Sequence, residues 1–301
     1  MDLYQRLKSR RLLVVTGKGG VGKSAMTAAL GRSLAARGRR TLVLEVDPRE
    51  NLHQLLDVPP SGGEVTRVAA DLYLQNLKPK AVVDWLVDEK VPIPMLARRV
   101  KESPVYQRFV EGAPGLQEMA IIGHCLRVVS GQAFSRPRID TVILDAPATG
   151  HGIYLLTAPR LFAEAITDGP FHHLAQQGAD FVADPDDAGL VIVTLAEEMP
   201  VQEALELRQA LAERFGRQPD LLITNGLYPP LPPDAAGAGD PLLELWRRRR
   251  RINEDELARL ERDWQGPKVE LPLLPIDRGP ALIGALQERL EAVLLGPRGA
   301  A

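Results

Sequence analysis

The chain has 301 residues, 45% of them hydrophobic and 25% charged, enough to bury a sizeable core and ordinary for a water-soluble globular protein. Its formal charge of −2 gives no electrostatic case for nucleic acid or an anionic membrane as the main partner. Cys125 is the only cysteine, which excludes an intrachain disulfide, and no apolar run approaches the roughly 20 residues that cross a bilayer. Met1 to Arg11 is charged and lacks the apolar core of a signal peptide, so the expected location is the cytoplasm.

The first predicted element is a strand, Leu12-Leu13-Val14-Val15-Thr16, followed by Gly17-Lys18-Gly19-Gly20-Val21-Gly22-Lys23-Ser24 and a helix from Ala25 to Arg37. This is the strand, glycine loop and helix of a P-loop, G-x-x-x-x-G-K-[ST]. Glycines let the loop turn its backbone N–H groups inward onto a phosphate, and the helix N-terminus adds partial positive charge. Lys23 is expected on the β- and γ-phosphates of ATP and the Ser24 hydroxyl on Mg²⁺. Lys18 adds a second lysine that the loop's own folding does not need.

Further along, Thr41 to Val46 is a strand ending at Asp47-Pro48, with a short helix from Asn51 to Asp57 and a break at Pro59 to Gly63. At Asp47 two readings stand: a carboxylate that orients or deprotonates the attacking water, or a cap for the helix that follows. Leu72 to Leu77 alternates as a strand. Helices are predicted over Lys80–Glu89, Pro94–Val110 and Pro114–Val129, with Cys125 a small core residue on the last. The apolar residues of region 79–131, Trp85, Met95 and Phe109 among them, either form ordinary core or dimer packing or line a client groove.

Ile139 to Asp145 reads as a buried parallel strand. Asp145 is then either a Walker B acid that, with Ser24 and Asp47, fixes Mg²⁺, in part through water, or a turn-forming residue. Residues 158–187 are mixed and mainly helical, with turns near Asp168-Gly169-Pro170 and Asp184-Pro185. Strands at Leu190–Thr194, Pro219–Asn225 and Lys268–Leu274 alternate with helices at Val201–Phe215, Leu242–Trp264 and Ala281–Leu295, and Tyr228–Pro241 is a Pro/Ala/Gly-rich loop. Arg247 to Arg251 is either an anion patch or the solvated face of a helix balanced by Glu254, Asp255 and Glu256. The rhythm predicts an α/β fold: a doubly wound, mostly parallel sheet of P-loop NTPase type with a helical insertion. The expected organisation is one ATPase domain over 1–301, with the insertion at about 79–131 and a further helical segment at about 158–187.

Together, Lys18 to Ser24, Asp47-Pro48 with Asn51-Leu52, and Asp145-Ala146-Pro147-Ala148-Thr149-Gly150-His151 resemble the ArsA-type ATPases. This family contains the arsenical pump ATPase and the guided-entry ATPase that targets tail-anchored proteins. The resemblance spans roughly residues 10 to 290, and Pro114-Gly115, Glu198 to Val201 with Glu203, Asn225 and Leu271 to Pro275 also match. It implies that Lys18 acts in trans across a homodimer, or a heterodimer with a similar ATPase. Gly19 to Ser24 would cradle the phosphates of ATP. Asp47, Pro48 and Asn51 belong to a first switch, and Asp145 to His151, including Thr149 and Gly150, to a second. Asn225 and the loop Pro275-Ile276-Asp277 would border the adenine, although Asn225 also reads as a satisfied polar residue at a strand end.

The chain departs from the family pattern at Arg49 and Asn51, where D-P-A-x-S-L is usual, and at Pro147, one place earlier than in D-T-A-P-T-G-H. Arsenite activation in the pump uses three thiolates, and a chain with one cysteine does not supply them. The same count excludes the iron–sulfur reductase branch and a C-x-x-C zinc clasp. The expectation is therefore an arsenite-independent dimeric ATPase switch that captures and releases a client or drives a membrane partner. The alternative is a ParA/MinD-like positioning ATPase acting on membrane or DNA. Against it stand the near-neutral charge and a last helix, Ala281 to Leu295, with Arg289 as its one cation.

Overall fold

The apolar runs become strands because each is covered on both faces, which is what a parallel sheet flanked by helices demands. In the computed structural model, residues 3–47, 50–134, 136–147, 152–231 and 240–295 are described. The first half of the chain runs α1 (Leu3–Ser9), β1 (Leu12–Thr16), α2 (Lys23–Ala35), β2 (Thr41–Glu45), α3 (Leu52–Leu56), β3 (Thr66–Arg67) and β4 (Leu72–Asn76). Four helices follow: α4 (Pro79–Lys90), α5 (Pro94–Glu102), α6 (Pro104–Gly112) and α7 (Leu116–Val129). The second half contains β5 (Thr141–Asp145), α8 (Gly152–Ala165), α9 (Pro170–Ala183), β6 (Ala188–Leu195) and α10 (Glu198–Phe215). It closes with β7 (Leu221–Leu227), α11 (Pro241–Asp263), β8 (Lys268–Pro272) and α12 (Pro280–Leu294).

The strands form one sheet in the order β3-β4-β2-β5-β1-β6-β7-β8, parallel throughout except where the two-residue β3 pairs antiparallel with β4. The doubly wound α/β expectation is met. Side chains alternate between two cores, as the pleat requires. Leu12, Val14, Leu42 and Leu144 face α4, α7, α8 and α9, whereas Leu13, Val15, Val43 and Ile143 face α2, α3 and α12. Burying each such side chain contributes about 1.5–3 kcal/mol.

Register is what places the site. Val15 of β1 and Glu45 of β2 both pair with Asp145 of β5, so three adjacent strands end in one row. The order reverses about β1, with β5 on one side and β6 on the other, and a crevice at the carboxyl ends results.

Several predicted boundaries shift for identifiable reasons. The helix expected over 94–110 is two helices, because Pro104 cannot donate to the ladder; Ser103 instead caps α6, its Oγ accepting from the Tyr106 N–H at 3.2 Å. The stretch from 158 divides into α8 and α9, with α8 already formed at Gly152 and α9 entered at Pro170. The strand expected to reach Leu274 stops at Pro272. α1 was not expected; its Tyr4 and Leu7 are buried, and the Tyr4 hydroxyl donates to the Ser33 carbonyl at 3.0 Å. Among the described residues, no helix is long and apolar enough to cross a membrane.

Candidate nucleotide site

The loop between β1 and α2 is shaped by glycines whose positions admit no side chain. Gly17 has φ +146°, and a Cβ there would lie 2.0 Å from the Val193 carbonyl oxygen of β6. Gly22 has φ +95°, and its Cβ would meet the Asn225 amide nitrogen at 2.5 Å. Asn225 ends its pairing with β6 at Leu195, and its Nδ2 donates to the Val21 carbonyl at 2.9 Å. Its amide therefore braces the P-loop backbone. The Val21 side chain is buried in the core, which leaves its main chain to the loop.

α2 starts at Lys23 with Gly22 as N-cap, no side-chain cap and no acidic residue in its first turn. A helix start with none of its usual anionic or capping partners suits a phosphate. The Lys23 ammonium lies over the loop, donating to the Lys18 carbonyl at 3.0 Å. Burial pulls its pKa down, while Asp145 and Glu203 oppose the shift.

Asp145 ends β5 directly beside the loop. It accepts from the Ser24 hydroxyl at 2.5 Å and from Thr27 Oγ1 at 3.3 Å, the two hydroxyls lying one helical turn apart on α2. Burial, with the charge of Asp47 adding to it, pushes its carboxyl up to about 6 against the hydrogen bonds from Ser24 and Thr27 and the charge of Lys23. A hydroxyl beside an incompletely compensated buried carboxylate is a set of hard oxygen donors that fits Mg²⁺. Among the described residues no three His, Cys, Asp or Glu side chains gather to hold a metal. Ser24 and Asp145 are the residues that would hold the ion.

These residues line a cavity of about 460 Å³ that also takes in Gly20, Gly22, Asp47, Asn51, Pro147, Arg278 and Leu282. Asp47 is exposed on its rim. Asn51 is the N-cap of α3, and its Oδ1 accepts from Arg278 Nη2 at 3.4 Å. Gly19 is exposed in the loop. Pro275, Ile276 and Asp277 are exposed in the connection from β8 to α12 and do not line this cavity; Arg278 and Leu282, just after them, do. Pro48, Thr149, Gly150 and His151 lie outside the described residues.

Lys18 stands apart from this group. Its side chain lines a second, smaller cavity of about 180 Å³, with Gly17, Ile153, Pro200 and Glu203. Its ammonium forms an ion pair with Glu203 of α10, each side chain 34% exposed. Glu45, Asn76, Thr27 and Arg278 were not singled out from sequence. A lone carboxylate in an apolar strand was the available signal for Glu45, and i+3 spacing from Ser24 the signal for Thr27.

Residues 10–169 match the family model described as anion-transporting ATPase. The chain is 32% identical over 221 residues to the ATPase BagA of Mycobacterium tuberculosis, covering 69% of this chain and 63% of that protein. It is 26% identical over 318 residues to an arsenical pump-driving ATPase of Acidiphilium multivorum, covering 94% of this chain and 50% of the relative. With the ATPase GET3C of Arabidopsis thaliana it shares 25% identity over 175 residues, covering 54% and 44%. The chain thus matches between about two fifths and 63% of the length of these relatives. Given a P-loop on β1, an acid at the end of β5 and a family match over more than half its length, the chain belongs to the ArsA-type, anion-transporting ATPase family.

Proposed function

We propose that this chain hydrolyses ATP as a dimeric switch, with Lys18 of each protomer completing the other's site. The observation that carries the reading is the separation of the two lysines. Lys23 lines the cavity with Ser24 and Asp145, whereas Lys18 lines the second cavity and pairs with Glu203, one third exposed. A lysine placed so is available to a second molecule at the cost of one solvent-screened ion pair, worth about 0–1 kcal/mol.

In this reading the Gly19 to Ser24 backbone and the α2 N-terminus hold the β- and γ-phosphates, and Lys23 neutralises them. Ser24 and Asp145 hold Mg²⁺. The ion, when bound, stabilises charge on the phosphate oxygens. Asp47, on the cavity rim, orients or deprotonates the attacking water, and Lys18 from the partner stabilises charge developing on the phosphates. Asn225 secures the loop, and Asn51 with Asp47 forms the element that follows the γ-phosphate.

The output is capture and release of a client, or drive to a membrane partner, by the helical region between β4 and β5. Exposed apolar side chains there support it: Ile93 at the N-cap of α5, Met95 on α5 and Val105 on α6, with Met95 81% and Val105 80% exposed. One relative, an arsenical pump-driving ATPase, bears a name in keeping with driving a partner. Arsenite independence rests on Cys125, which is fully buried, its thiol pushed up by burial and so held from the thiolate form that binds metalloids.

The test is sedimentation of Asp47→Asn with Mg²⁺ and ATP. The expected result is a stable ATP-loaded dimer that hydrolyses slowly and retains its partners in a pull-down. A monomer at saturating ATP contradicts the proposal. ATP-dependent retention on anionic vesicles or DNA, with no protein partner, favours the positioning-ATPase alternative.

A further inference from the structure

The segment that carries Asp47 is held at both ends by two side chains that belong to neighbouring strand ends. Glu45 closes β2 and Asn76 closes β4, and the two are register partners. Both are almost fully buried, at 2% and 4% exposed. The Asn76 side-chain amide donates to the Asp47 carbonyl at 2.7 Å and to Glu45 Oε2 at 3.5 Å. The Glu45 carboxylate accepts from the backbone N–H of Asn51 at 2.9 and 3.1 Å, and from that of Leu52 at 3.4 Å. One side chain thus grips residue 47 and the next grips residues 51 and 52, with a direct contact between them.

A neutral hydroxyl would cap α3 without the penalty of burying a carboxylate. Glu45 bears that penalty two residues from Asp47, which is hard to explain by helix capping alone. The clamp is also braced from behind. Ser61 Oγ accepts from the Asn76 backbone N–H at 2.8 Å, and Glu50 accepts from the N–H groups of Ser61 at 2.7 Å and Gly62 at 3.2 Å. The loop between α3 and β3 is therefore tied to the same segment.

We propose that Glu45 and Asn76 are positioning residues for ATP hydrolysis, fixing the Asp47 carbonyl and the start of α3 beyond it so that the Asp47 carboxylate stands at a set place on the rim of the phosphate cavity. This rests on the reading of Asp47 as the group that directs the attacking water. Neither residue lines the cavity, so neither is expected to touch ATP.

The experiment is steady-state ATP hydrolysis and fluorescent-ATP binding on the full chain for Asn76→Ala, Glu45→Gln, Asp47→Asn and the Asn76→Ala/Asp47→Asn pair. A displaced carboxylate costs about tenfold or more in kcat for Asn76→Ala, with KM and nucleotide affinity within about threefold of the parent. Glu45→Gln keeps the volume and one acceptor oxygen, so it lowers kcat less, again without moving KM. On the Asp47→Asn background, Asn76→Ala causes no further loss, because a residue acting through Asp47 has nothing left to position. Retained nucleotide binding shows each variant folded, and Glu45→Gln carries the test should Asn76→Ala unfold. Unchanged kcat in both single variants, or a full additional loss in the double variant, overturns the proposal while Asp47→Asn remains slow. An Asp47→Asn protein as fast as the parent overturns this proposal and the role of Asp47 together.

Discussion

Asp145→Asn is expected to stabilise the nucleotide-free protein while removing the proposed Mg²⁺ dependence of nucleotide binding. In the unfolded chain the carboxyl ionises near 3.8; in the fold, burial holds it protonated up to about 6. Between those values the folded state binds more protons than the unfolded one, so stability falls as pH rises through the window, and the whole cost stands above pH 6. The difference of about 2.2 pH units at 1.36 kcal/mol each comes to about 3 kcal/mol at pH 8. An asparagine of the same shape still accepts from Ser24 and has no charge to bury. Urea unfolding in EDTA, without nucleotide, should find Asp145→Asn more stable by about 1–3 kcal/mol at pH 8 and by less than about 1 kcal/mol at pH 4. Fluorescent-ATP binding should lose its Mg²⁺ dependence in the same variant. A variant less stable than the parent at pH 8, or a difference equal at both pH values, contradicts a buried, destabilising Asp145 carboxylate.

Gly17→Ala places a Cβ 2.0 Å from the Val193 main-chain carbonyl at a φ of +146°, and no flexible side chain is there to yield. It should destabilise by about 3 kcal/mol or more and eliminate ATP binding; a melting temperature within about 2 °C of the parent contradicts this. His124 is buried against Gln75, 3.0 Å away, and burial, with Arg127 adding to it, lowers its pKa to about 4 from 6.5. The neutral ring's contribution is present above pH 6.5 and lost as pH falls toward 4. Denaturation of His124→Gln and the parent at pH 7 and pH 4 should therefore differ by about 3 kcal/mol in the variant's favour on acidification, and no relative change contradicts it. Sodium arsenite should leave the ATPase rate unchanged, because soft metalloid binding needs several thiolates and Cys125 is buried; stimulation of the rate overturns arsenite independence.

The central strands were legible because buried parallel strands are near-continuous apolar runs, as in Leu12–Thr16 and Thr141–Asp145. β3 escaped notice since two residues carry no period, and α1 because Tyr4 and Leu7 are its only buried residues. The glycine loop and Asp145 could be read from local spacing. Glu45 and Asn76 could not, since their meeting depends on β2 and β4 lying side by side, 31 residues apart in sequence. The same holds for Lys18 with Glu203, 185 residues apart, and for Arg278 with Asn51, 227 apart. Arg278 rather than Pro275 to Asp277 reaches the cavity because the chain re-enters the crevice only as α12 begins.

Whether Lys18 works on the partner's nucleotide is read out by complementation between two variants. Lys18→Ala and Asp47→Asn should each bind ATP and each hydrolyse it only slowly alone. In a mixed dimer, the site whose own chain is Lys18→Ala keeps its Asp47 and receives Lys18 from the other chain. An equimolar mixture should therefore recover up to about one quarter of the parent rate, half the dimers being mixed with one of two sites complete. Full hydrolysis by Lys18→Ala alone, or no recovery on mixing dimers that do form, contradicts it.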